Sequence, residues 1–326
     1  MIIVTGAAGM IGSNAVRTLN ERGYTDILAV DRLERDERWK NLRGLRFRDY
    51  LQADRFLAAM ASGENLGRVE AVLHFGACSD TAERDVDFLV RNNFEYAKAV
   101  AGFALKQGAR LLHASSAATY GDGTQGYLDD ESRLDTLRPL NPYGYSKHLF
   151  DLWARDAGVL GRIVSLKFFN VFGPNEYHKG DMRSVVLRAF EQVLSGGPMK
   201  LFRSGRPEYA DGAQQRDFLY VKDAVRMTLH LLGTPYCGIF NIGSGVARTW
   251  NDLAAALFKA LDQPVNVEFI DMPEALRDRY QYHTCAEMGR FNATGFVGRP
   301  NTLEEAVDDY VRNYLKPGVH LDGTPR

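Results

Sequence analysis

The chain has 326 residues, 45% of them hydrophobic and 25% charged, with 40 basic against 41 acidic side chains. That balance excludes the polyelectrolyte face that binding to nucleic acid or an anionic membrane requires, and the length leaves room for a large α/β domain and a smaller one. No apolar run is long enough for a membrane span, the N-terminus has no signal-peptide pattern, and Cys78, Cys237 and Cys285 show no CxxC spacing. The expectation is a cytoplasmic chain with neither a disulfide framework nor a metal site.

Ile2 to Thr5 is a short apolar run that breaks at Gly6-Ala7-Ala8-Gly9-Met10-Ile11-Gly12. A helical pattern follows through Ile11, Ala15, Val16 and Leu19, and a second strand, Ile27 to Val30, delivers Asp31. Strand, glycine turn, helix, strand and a terminal acid about twenty residues on is the dinucleotide-binding arrangement. Its glycines let the backbone approach a pyrophosphate, and the helix N-terminus supplies donors.

The alternation continues. Val69 to Phe75 reads as a buried strand running into Gly76-Ala77-Cys78-Ser79, and Val86 to Lys106 as a long helix interrupted in polarity by Asn92 and Asn93. Ala109 to Ala114 is another strand, followed by Ser115-Ser116-Ala117-Ala118-Thr119-Tyr120-Gly121. Repeated strand–helix units predict a parallel sheet with ligands at the carboxyl ends of its strands. Ser116 suits a donor to a reacting oxygen, or a strand-end serine that satisfies backbone. In Tyr143-Gly144-Tyr145-Ser146-Lys147, helical spacing puts Tyr143 and Lys147 on one face, where the ammonium would favour the phenolate. By itself that spacing also describes a solvated helix face.

Arg162 to Phe169 reads as the next strand, ending in Asn170-Val171-Phe172-Gly173-Pro174, where a second domain begins. Arg216 is a candidate bidentate phosphate clamp, with Asp217 or Asp211 as alternative ion-pair partners. Strand 238–242, helix 250–261 and strand 265–270 follow. The predicted fold is a Rossmann-type doubly wound parallel sheet with a smaller, interleaved α/β substrate-binding domain. The dinucleotide part is residues 1–169 with about 215–246 and 281–293; the substrate part is about 170–214, 247–280 and 294–316. Residues 317–326 read as a loosely ordered tail.

In order along the chain, Gly6/Gly9/Gly12, Asp31, Ser115 to Gly121 and Tyr143/Lys147 resemble the extended short-chain dehydrogenases that act on nucleotide sugars. Ala117 and Ala118 stand where the 4,6-dehydratases of that group carry an Asp-Glu pair. Glu176-Tyr177-His178-Lys179-Gly180-Asp181-Met182 resembles the His-Lys-Gly segment of the ADP-L-glycero-D-manno-heptose 6-epimerases, as do Gly76 to Ser79, Lys200 to Phe202 and Arg279 to Gln281. The resemblance implies C6 epimerisation through a ketone by bound NADP, with NAD as the alternative. Tyr143 and Lys179 would be the two bases, Ser116 would polarise the oxygen, and Lys147 would orient the cofactor and lower the Tyr143 pKa. It implies cofactor contacts from Gly6, Gly9, Met10, Ile11, Gly12, Asp31, Arg32, Arg38, Phe75 to Ser79, Asn92, Lys147, Val171 and Lys179. Substrate contacts would come from Ser116, Asn170, Asp181, Arg188, Phe202, Arg203, Ser204, Gly205, Arg216 and Tyr280. A homo-oligomer is implied too, pentameric as in that family.

Several positions depart from the family: Phe75 for Glu, Ala53 for Lys, Asp181 for Ser, Arg188 for His, and a longer stretch at 206–214. Lys179 also reads as a plain phosphate-binding or surface lysine. The competing functions are an NAD-dependent nucleotide-hexose 4-epimerase, a net reductase, and a non-catalytic NADP sensor.

Overall fold

The structure, a computed structural model, describes residues 1–274 and 280–323. The strands are β1 (Ile2–Thr5), β2 (Ile27–Asp31), β3 (Asp49–Gln52), β4 (Ala71–His74), β5 (Arg110–Ser116), β6 (Val164–Phe168), β7 (Asn170–Phe172), β8 (Met199–Phe202), β9 (Gln215–Tyr220), β10 (Gly238–Ile242), β11 (Ala247–Thr249) and β12 (Val267–Ile270). Seven of them form one sheet in the order β10-β6-β5-β4-β1-β2-β3, every neighbouring pair parallel. The order reverses between β1 and β4, so the crevice of a Rossmann sheet opens above Thr5 and His74.

Alternation along each strand builds two apolar layers. Ile2, Val4, Leu73 and Leu112 face one layer with Val16 and Leu19, while Ile3, Val72 and Leu111 face the other with Val100 and Phe150. The helices that supply these layers are α1 (Met10–Glu21), α2 (Ala53–Ser62), α3 (Val86–Leu89), α4 (Tyr96–Gln107), α5 (Pro142–Asp156) and, farther on, α7 (Val221–Leu232). Between β6 and α7 the chain builds α6 (Val185–Leu194), and after β11 it builds α8 (Trp250–Leu261) and α9 (Leu303–Tyr310). These pack a separate core around Phe190, Leu201, Phe218, Leu257 and Val307. Its sheets are small, β11-β9-β7 and β12-β8.

Three features differ from the sequence expectation. The helix expected over Val86 to Lys106 contains a π-helical segment, Val90–Glu95, at its two asparagines. Strand β3 and helix α2 gave no sequence signal; β3 is an edge strand, Asp-Tyr-Leu-Gln, with no buried residue. The described part of the tail, residues 317–323, is anchored instead of loose: His320 is 2% exposed, and the Leu321 N–H donates to Asn175 Oδ1 at 2.9 Å. Gly/Pro composition signals a break in regular structure, and polar bonds of this range leave no trace in it. Among the described residues no helix is long and apolar enough to cross a membrane.

Candidate active site

Tyr143 and Lys147 lie on the first turns of α5. Asn141 caps that helix by accepting from the Gly144 N–H at 2.7 Å, and Pro142 takes the first helical position, where a missing N–H costs nothing. Any side chain at position 144 would put its Cβ 2.7 Å from the Ala118 carbonyl oxygen. The glycine is therefore what lets α5 press against the turn after β5, bringing the Tyr143 phenol into hydrogen bonding with Ser116. Burial pushes that phenol above its usual range, and the Ser116 bond draws it partly back. Lys147 does not act on the phenol as expected. Its Nζ donates 2.8 Å to the Ala114 carbonyl, and burial brings its own pKa down to about 8.

Beneath these residues lies a buried polar network that the sequence did not disclose. The Asp151 carboxylate, one turn beyond Lys147, accepts from Ser115 Oγ (2.8 Å) and Ser165 Oγ (2.7 Å) and pairs with Lys167 Nζ at 3.2 Å. Lys167 also donates 2.6 Å to Thr119 Oγ1, and that hydroxyl donates 2.8 Å to the Ser116 carbonyl. One carboxylate thus ties α5 to both sides of the Ser116 turn.

On the cofactor side, Gly12 is fixed by packing: a Cβ there would lie 2.0 Å from the Gly6 carbonyl oxygen. Gly9 is the N-cap of α1 and no side chain caps the helix, so the donors of its first turn, at Met10 and Ile11, fit a pyrophosphate. Asp31 accepts from the Ala8 and Arg32 N–H groups, both at 2.7 Å, which brings the acid to the glycine turn. Arg32 reaches Asp54 (2.7 Å) and Asn92 Oδ1 (3.1 Å), while Arg38 pairs with Asp36 and Glu34. The Phe75 to Ser79 loop is held by Asn93, not Asn92. Asn93 accepts from the Cys78 N–H (2.9 Å), donates to the Cys78 carbonyl (3.0 Å) and donates to Ser146 Oγ (3.0 Å). The π turn aims both asparagines at this edge, a common use of such turns.

The second lobe contributes Val171 and Asn170 on β7, and the turn that carries Lys179. Glu176 anchors this turn, accepting from Ser184 N (2.6 Å), Ser184 Oγ (2.7 Å) and Tyr310 OH (3.0 Å). Lys179 is partly buried, its ammonium makes no hydrogen bond or ion pair among the described residues, and burial pushes its pKa down.

Farther out, Arg216 lies in a nest of aromatic rings, with its guanidinium 4.9 Å from the Tyr280 centroid and 5.6 Å from that of Trp250. It is 7% exposed, and neither expected carboxylate meets it. Asp217 is turned to the N–H groups of Ser244, Gly245 and Ala286, and Asp211 to Arg203 and the Ser204 N–H. Phe202 packs edge-on to Tyr280, and the Gly205 N–H donates to Tyr282 OH at 3.1 Å. The Arg216 guanidinium bonds instead to the Gln215 carbonyl at 2.8 Å and to the Tyr280 side chain.

Residues 2–243 match the model of the NAD dependent epimerase/dehydratase family. The chain belongs to that family. It is 53% identical, over 97% of its length and 98% of the relative's, to the ADP-L-glycero-D-manno-heptose-6-epimerase of Nitratidesulfovibrio vulgaris, which makes it an isomerase. The crystal structure of the Helicobacter pylori ADP-L-glycero-D-manno-heptose-6-epimerase superposes with a TM-score of 0.80 at 25% identity, covering 96% of this chain and 95% of that one. MoeE5, solved with UDP-glucose and NAD, gives 0.74 at 25% identity over 96% and 99%.

Two of the substrate contacts expected from the sequence are open to solvent. Asp181 and Arg188 are exposed, and neither side chain forms a hydrogen bond or ion pair among the described residues. Gln281 donates to the Gly121 carbonyl, while Arg279 lies outside the described residues. Asn93, Asp151, Lys167, Trp250 and Tyr282 were missed. Only the pairing of Asn93 with Asn92 inside an apolar helix offered a signal.

Proposed function

We propose that this chain inverts C6 of ADP-D-glycero-β-D-manno-heptose to the L-glycero form through a transient 6-ketone, using two bases. A nicotinamide held at the glycine turn would supply a reversible acceptor for the C6 hydride. The protein's part is to hold the sugar, move protons and let the ketone present both faces. Tyr143 removes the hydroxyl proton in one orientation while Ser116 holds the oxygen. Ala117 and Ala118 offer no carboxylate to expel water, so the ketone persists until the hydride returns. Lys179 handles the proton in the other orientation. The observation that carries this reading is the Lys179 ammonium, partly buried on an anchored turn and without a hydrogen bond or ion pair among the described residues. Arg216, with the rings of Tyr280 and Trp250, would clamp the pyrophosphate, and residues 202–205 would close over it.

The finer choice of cofactor is NADP. Arg32 follows Asp31 directly, and its exposed pair with Asp54 is worth about 0–1 kcal/mol, so a 2′-phosphate can take over that guanidinium, while Arg38 is held more firmly by Asp36. The same reading places the enzyme in the cytoplasm, in assembly of the lipopolysaccharide inner core, as a homo-oligomer, pentameric by family resemblance.

The test is incubation with ADP-D-glycero-β-D-manno-heptose, following C6 configuration by NMR, for the parent chain and Lys179→Met. Inversion by the parent and none by the variant, with nicotinamide still bound, is expected. Turnover only on a UDP-hexose would establish the 4-epimerase alternative, and an active Lys179→Met would remove the second base.

A further inference from the structure

The turn that carries Lys179 has no buried residue of its own and is kinked at Gly180, so its position depends on what grips its ends. Glu176 ties it to the second lobe. The other grip comes from a distant part of the chain. Asn41 lies on the 3₁₀ helix Glu37–Leu42, is 3% exposed, and uses its whole carboxamide in this region. Its Nδ2 donates to the Ala8 carbonyl of the glycine turn (2.8 Å) and the Asn175 carbonyl (3.0 Å), with a longer contact to His178 Nδ1 (3.3 Å). Its Oδ1 accepts from His320 Nδ1 at 3.1 Å.

Asn175 extends this seam. Its backbone is left-handed at φ 74°, which asparagine tolerates better than most residues. Its Nδ2 donates to Ser13 Oγ on α1 (3.0 Å), and its Oδ1 accepts from the Leu321 N–H (2.9 Å). Tyr177 closes the contact: its hydroxyl donates to the Val319 carbonyl (2.8 Å), and its ring stands at 89° to His320 with centroids 5.1 Å apart. Residues 319–321 join no strand and no apolar cluster among the described residues. Beyond the local Val319 N–H bond to the Tyr314 carbonyl and the Gly323 N–H bond to the His320 carbonyl, Val319, His320 and Leu321 each bond to Tyr177, Asn41 or Asn175, on the turns that frame the site.

We infer that the C-terminal segment 319–321 is a strap that sets Lys179 against the cofactor turn, with Asn41 and His320 as positioning residues that do not touch substrate. The inference rests on Lys179 being the second base. A proton donor or acceptor must come within about 2.6–3.2 Å of the oxygen it serves. A misplacement of about 1 Å costs on the order of 100-fold in rate. A turn held at one end only cannot keep that tolerance. Asn41 couples both turns through one side chain, so the strap sets their mutual distance.

His320→Phe keeps a ring against Tyr177 and removes the donor to Asn41; Tyr177→Phe removes only the hydroxyl that holds Val319. In each, kcat for C6 inversion should fall about 10–100-fold, with KM changed less than about threefold and nicotinamide retained on purification. His320→Asn, which keeps a donor near the same place, should recover much of the loss. Parental kcat in Tyr177→Phe and His320→Phe, or a fall in activity that follows loss of the nicotinamide, would overturn the inference. A fully active Lys179→Met would fault the two-base reading instead, and that is read from a separate variant.

Discussion

Asp151→Asn removes one charge from the buried network under the site and leaves its shape alone. Asp151 is 0% and Lys167 1% exposed, so neither charge is screened by water. In the parent chain burial pushes the Lys167 ammonium below its ordinary value of 10.5, and the Asp151 carboxylate opposes that push. With a neutral amide at 151, Lys167 gives up its proton on folding. Removing a proton at pH 7 from a group whose ordinary value is 10.5 costs about 1.4 kcal/mol per pH unit, a ceiling of about 5 kcal/mol. This agrees with the ~3–5 kcal/mol observed when one partner of a buried pair is removed. The sign follows from the proton count. The unfolded variant binds a proton that the folded variant lacks, so the variant gains about 1.4 kcal/mol of stability per unit as pH rises from 7 toward 10.5. Urea unfolding at pH 7, 8 and 9 measures this directly. Asp151→Leu with Lys167→Met, which replaces the whole pair by apolar groups, should recover most of the loss. A loss under about 1 kcal/mol, or one equal at pH 7 and pH 9, would refute the reasoning.

Three further outcomes follow from the site. Arg216→Ala should raise KM for the nucleotide sugar by about 10–100-fold, the worth of charge-assisted bonds to phosphate, with melting temperature little changed; an unchanged KM would remove the clamp. Asp54→Ala frees Arg32 and should tighten NADP relative to NAD by about fivefold in calorimetric titration, since one exposed carboxylate is worth ~1 kcal/mol here; equal shifts for both cofactors would remove Arg32 from the 2′-phosphate site. Burial brings Lys147 down to about 8, and only its charged form is a full ammonium donor with which to orient the cofactor. The kcat profile should therefore fall above pH 8, and Lys147→Arg should carry that limb to higher pH; an identical limb in the variant would assign it to another group.

The sequence by itself determined what is contiguous in the chain. The glycine turn with Asp31, the Tyr143–Lys147 spacing and the Asn170 to Pro174 turn each place their chemistry within one strand–loop–helix unit. Local backbone rules are enough to read such units, and the parallel sheet follows from their repetition. Strand β3 escaped because an edge strand has no apolar face to show a period. The tail was misread because Gly and Pro report backbone freedom and carry no information about polar bonds made elsewhere. Tertiary structure alone decided the rest. It set Lys147 on the Ala114 carbonyl instead of on the phenol, gave the Cys78 loop to Asn93, and denied Arg216 both of its neighbouring carboxylates. It also brought His320 to Asn41, 279 positions apart. Where these pairings involve buried groups, each bond left unmade would cost ~1–3 kcal/mol. The need to satisfy each group is strong, but it is local to the folded interior and imposes no period or spacing on the chain.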